Sequence, residues 1–90
     1  MIATLVEVWG EVPEGREAFA DFIGRTGDLQ QLGDGRHSFL HGELVLRGPA
    51  RPRIGHLMIQ AHDLRFVFRL VEEQVRPIYA ESTQLLNRAG

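Results

Sequence analysis

The chain has no cysteine, which excludes disulfides, thiolate nucleophiles, iron–sulfur clusters and cysteine-held zinc together. It also has no lysine: all 10 basic residues are arginine. Arginine presents a planar, bidentate fork where lysine presents a point charge, so this choice suits carboxylate or other anion recognition. The codon bias of a GC-rich genome produces the same composition. No apolar run approaches the roughly 18 residues of a spanning helix, so no membrane association is expected. The opening MIATLVEVWGE lacks a basic n-region and meets Glu7 too early for a signal peptide. A cytoplasmic location is therefore expected. The formal net charge of −2 gives no bulk electrostatic reason to expect nucleic acid as a partner.

What remains is ordinary globular composition, with 43% hydrophobic and 24% charged residues. Ninety residues make a single domain spanning 1–90. A chain of this size buries only about 60–65% of its unfolded surface, so support from a second chain is expected.

Ile2 to Trp9 is rich in Val, Leu and Ile and too short for a helix, which predicts a strand. Pro13-Glu14-Gly15 opens a helix whose stripe is Ala18, Phe19, Phe22 and Ile23, ended by Gly24 or Gly27. Asp34-Gly35 marks a tight turn and can link a short strand, Leu29 to Leu32, to the next. Arg36 to Arg47 alternates as one strand, and Ile54 to His62 as another. The Gly48–Arg53 stretch between them, with two prolines, reads as a loop, so the two strands are expected to pair as a hairpin.

After a plausible N-cap at Asp63, Leu64, Val67, Phe68, Val71, Val75 and Ile78 fall at helical spacing. Arg69–Glu73 and Glu72–Arg76 add charge pairs at i, i+4. The alternative is a strand over Leu64–Val71 using Leu64, Phe66, Phe68 and Leu70; the charge pairs favour the helix. Pro77 kinks or ends it, and Ile78 to Thr83 can form a last edge strand. The expected fold is thus α+β: a two-layer β-α-β-β-α(-β) domain, with three to four antiparallel strands and two helices on one face. With the last strand the element order is like the ferredoxin-like plan, which dimeric α+β barrels use to hold ligands between sheets. The likeness is one of element order alone.

In that layout the sheet face away from the helices carries Leu5, Glu7, Trp9, Phe39, His41, Glu43, Val45, Met58, Gln60 and His62. Such a face is too apolar for a monomer's wet surface. Trp9, Phe39, His41, Glu43, Met58 and His62 are accordingly the expected interface or pocket, and a homo-oligomer is expected to form there or on the second helix. Across the expected hairpin His41 faces His62, close enough to share a metal with Glu43 or Glu7 or to form a pH-sensitive pair that loosens the assembly as pH falls. Unremarkable polar histidines on a half-exposed strand are the simpler reading. Glu7 with Glu43 shows no defined gap for acid–base work. No Ser, Thr or Tyr lies in a nucleophile elbow, and neither Gly24-Arg25-Thr26-Gly27 nor Gly33-Asp34-Gly35 is a phosphate loop, so no cofactor or metal is expected. Arg47, Arg51 and Arg53 share the expected hairpin loop and suit a phosphate or an acidic protein partner.

Two functions fit. One is a non-enzymatic binding or assembly subunit using its apolar face and arginine loop. The other is a small cofactor-independent enzyme or ligand-binding protein with a pocket between sheets. A closed cavity lined by Trp9, His41, Glu43 and His62 separates them.

Overall fold

A computed structural model describes residues 1–71. Within them the chain is almost all β, and the α+β layout is overturned: seven antiparallel strands form one sheet, with one short helix and one 3-10 turn. The strands are β1 (Ile2–Trp9), β2 (Thr26–Gln31), β3 (Arg36–Phe39), β4 (Leu44–Arg47), β5 (Ala50–Arg53), β6 (His56–Ala61) and β7 (Leu64–Leu70). Their order in the sheet is β4-β3-β2-β1-β7-β6-β5.

The two edges of this sheet, β4 and β5, are successive in the chain and separated only by Gly48-Pro49. Every neighbouring pair is antiparallel, so six steps of alternation leave β4 and β5 running in the same direction. Leu44–Arg53 is therefore one strand bent at Gly48. Its first half pairs with β3 and its second half with β6. Edges joined by two residues force the sheet to roll up on itself, and β4 does lie against β6. The result is an up-and-down meander closed like a small barrel, which leaves few exposed edges.

The interior holds Phe39, Phe66, Phe68, Leu5, Leu46 and Ile59, all fully buried. β1 reaches it by a bulge. Leu5 lies opposite Phe68 and Glu7 opposite Val67, so Val6 is the extra residue and the inward positions change from Ala3 and Leu5 to Val8. That shift puts Leu5 inside, where unbroken alternation sets it with Glu7 and Trp9.

Three further elements differ from the sequence expectation. Arg36–Arg47 is not one strand but the β3–β4 hairpin, because Leu40, His41 and Gly42 all adopt positive φ (57°, 55° and 93°) and turn the chain. Gly48–Arg53 is not a loop; Pro52 sits in an edge strand, where a missing N–H is tolerated. Leu64–Leu70 is the strand β7 rather than a helix. His62 (φ 54°) and Asp63 (φ 58°) form a two-residue hairpin turn before it, so Asp63 caps nothing. The expected helix continuation past Pro77 and the strand over Ile78–Thr83 lie outside the described residues.

The first helix is real but shorter. α1 covers Pro13–Ala18 and is followed by the 3-10 turn Ala20–Phe22. It buries no helical residue; instead Phe19 stacks edge-on against Phe66 at 5.0 Å and tilts over His62 at 5.3 Å. This segment covers the end of the sheet where β6 turns into β7.

Near the start of β1, the terminal ammonium of Met1 donates to Asp28 Oδ1 at 3.2 Å, and Gln30 Nε2 donates to Oδ2 at 2.6 Å. The ammonium hydrogen bond, more than Gln30, holds the Asp28 carboxyl below the usual aspartate range, against a raising effect of burial. A depressed folded pKa stabilises above the unfolded value of about 3.9 and is lost as pH falls through the folded one. Urea unfolding should therefore show wild type ahead of Asp28→Asn at pH 7, with the gap narrowing by pH 2. A gap of constant size would refute the linkage.

Candidate functional site

The expected pocket is not assembled. Phe39 is in the core at 0% exposure. His41 sits exposed in the β3–β4 turn, and His62 exposed in the β6–β7 turn. They belong to different hairpins and are not cross-strand partners, so neither the shared metal nor the paired-histidine pH switch has a geometric basis. Among the described residues no group of three metal-ligating side chains is found. Glu43 is engaged elsewhere, accepting from both terminal nitrogens of Arg25, the closest at 3.1 Å. Glu7 accepts the Trp9 indole N–H at 2.7 Å. The face on which an oligomer was expected is split by the fold: Leu5 and Phe39 lie in the interior, while Trp9 and Val45 are exposed and Met58 is half-buried on the outside.

Trp9 and His62 do come together. With Gln60, Arg65, Gly10 and Val12 they line an open cleft of about 790 Å³ beside α1. A smaller cleft of about 160 Å³ lies between Arg51, Arg53, Met58, Gln60 and Arg65. Gln60 and Arg65 belong to both, so one groove runs from β5 across to the end of β1.

The floor of this groove follows from strand register. On the outer face Arg53, His56 and Arg69 form one row across β5, β6 and β7; Arg51, Met58 and Val67 form the next, which ends at Glu7 on β1; Gln60, Arg65 and Trp9 form the third, across β6, β7 and β1. Rows stand roughly 7 Å apart and β5 lies roughly 10 Å from β7. Arg51, Arg53, Arg65 and Arg69 are all exposed, while Met58 and Val67 between them are half-buried. The ion pairs found among the described residues are Met1–Asp28 and Arg25–Glu43, so none of these four arginines is paired there. Arg47 stands apart on β4, donating to the Asp34 carbonyl oxygen at 3.2 Å.

Sequence reasoning placed Arg51 and Arg53 together with Arg47 and missed Arg65 and Arg69, which the helical reading sent to another surface. The signal was present in the alternation of Arg65, Val67 and Arg69 against Leu64, Phe66 and Phe68. Charge is sorted by the fold: residues 50–71 carry four arginines against the single acid Asp63, so a net charge of −2 conceals a basic face.

No family model, no curated protein and no solved structure matches this chain. Among the described residues no helix is long and apolar enough to cross a membrane.

Proposed function

We propose that this protein is a non-enzymatic binding module that takes an acidic protein segment on the outer face of β5, β6 and β7. The observation that carries this reading is the four-arginine face, unpaired among the described residues and centred on the half-buried Met58 and Val67. An apolar centre with an arginine rim is the composition of a protein–protein contact. Guanidinium forks aimed outward from a rigid sheet suit carboxylates.

Nucleic acid fits the same charge less well. Sequence-tolerant strand binders interleave basic groups with several stacking aromatics. Among the described residues Trp9 is the one exposed aromatic beside the groove, and its indole N–H is already taken by the Glu7 carboxylate.

A fluorescent poly-glutamate peptide titrated into the full chain at low salt tests the reading. We expect saturable binding that weakens on raising salt and falls at least tenfold in an Arg51→Glu/Arg65→Glu variant that keeps the wild-type circular dichroism. Absence of binding, or indifference to the double reversal, would overturn it. Tighter binding of a single-stranded oligonucleotide than of the peptide would also replace it with a nucleic-acid reading.

A further inference from the structure

A second site arises from the bend in the fourth strand and is independent of the arginine face. β4 stays with β3 while β5 goes to β6, so the ladder opens at Gly48-Pro49. The opening leads into a cleft of about 440 Å³ lined chiefly by Leu29, His37, Pro49, Ala50, Pro52 and Leu57, with the exposed Met1 and Gln31 also on its walls. The Trp9 cleft lies at the other end of β1. This volume is in the range of small-molecule sites, which favour the mouths of β-barrels. Strands rather than loops form most of its walls, so little has to be ordered on binding.

Its chemistry is specific. No Arg, Asp or Glu lines it. His37 is the one imidazole in the lining and is only 5% exposed. Its Nε2 lies 3.3 Å from the Gly48 carbonyl oxygen. A carbonyl can only accept, so Nε2 carries the proton, and in the neutral ring Nδ1 is left as an acceptor.

We propose that this mouth binds a small, uncharged, mainly apolar molecule carrying one hydroxyl or N–H group, which donates to His37 Nδ1. A charged ligand finds no counter-charge on the lining side chains, and the Met1 ammonium beside them is already paired with Asp28, so such a ligand would lose its hydration without replacement. A wholly apolar one leaves the imidazole acceptor without a partner.

The probe is 1-naphthol, titrated into the full chain and followed by the resonances of the His37 ring and the Leu57 methyls. Saturable one-to-one binding is expected, with naphthalene and 1-naphthoate each weaker by about tenfold or more. Ala50→Trp should fill the mouth and abolish binding, and Arg51→Glu/Arg65→Glu should leave it unchanged, which separates this site from the arginine face. The ligand series is measured on the wild type and stands even if Ala50→Trp fails to fold. The proposal is overturned if 1-naphthol does not saturate, if naphthalene binds as tightly, if a folded Ala50→Trp binds equally well, or if the double reversal removes binding.

Discussion

Replacing Gly48 by alanine is expected to destabilise the protein by about 3 kcal/mol or more, at or beyond the upper end of ordinary overpacking. A Cβ at this position would collide with the carbonyl oxygen of Gln60. The obstacle is backbone of β6, so no side-chain rotation relieves it. The bend is also pinned on both sides: Gly48 N–H donates to the Gly35 carbonyl at 3.0 Å, and Gln60 N–H donates to the Pro49 carbonyl at 3.0 Å. To make room the chain must give up one of these bonds or pull the bent strand away from β6. Either change opens the sheet where its two edges meet. Two other glycines calibrate the effect. A Cβ at Gly10 would clash with the far methyl of the Leu64 side chain and touch the Asp63 carbonyl oxygen only at ordinary contact distance, and one at Gly33 would meet nothing. Urea unfolding should rank the alanine variants Gly48, Gly10, Gly33 in decreasing loss. A Gly48→Ala protein within about 0.5 kcal/mol of wild type, the usual range of an uneventful surface change, would mean that the closure is not where this close approach puts it.

That closure was not legible in the sequence, although many of its parts were. β1 was, because eight apolar-rich residues bounded by Gly10 are too few for a helix. The Asp34-Gly35 turn was, because both residues accept positive φ. The β3–β4 turn was hidden because alternation runs through it: Leu40, Leu44 and Leu46 keep even numbering while Leu40 and His41 enter the left-handed region. Leu40 stands over Gly27 of β2, a contact between distant residues that no local pattern reports. The same holds for the face assignment in β1, where one bulged residue exchanges inside and outside. His62-Asp63 did carry a local signal, since His and Asp tolerate positive φ better than most residues, and two alternating runs flank them without a gap. Reading Asp63 as a helix cap discarded that signal, and with it half of the arginine face.

Phe68→Ala is expected to cost 3–5 kcal/mol, the range for removing a fully buried phenylalanine. Phe68 is 0% exposed, with Leu5 of β1 on one side and Leu57 of β6 on the other. Its ring meets Phe39 edge-to-face at 4.9 Å and 71°. Phe39 belongs to β3, three strands away through the sheet order, so the contact crosses the interior and ties one half of the rolled sheet to the other. A cycle of Phe39→Leu and Phe68→Leu should therefore show coupling of about 1 kcal/mol beyond the single losses. The wider pattern along β7 decides between the two periodicities that this segment carries. A strand with one face inward loses most at Leu64, Phe66 and Phe68 and little at Arg65, Val67 and Arg69, whereas a helix would make Leu64, Val67 and Phe68 the costly set. Alanine substitution at each of these six positions, measured by urea unfolding, should alternate with period two. Val67→Ala as costly as Phe66→Ala would put Val67 inside, break the arginine face between Arg65 and Arg69, and remove the apolar centre on which the acidic partner is proposed to sit.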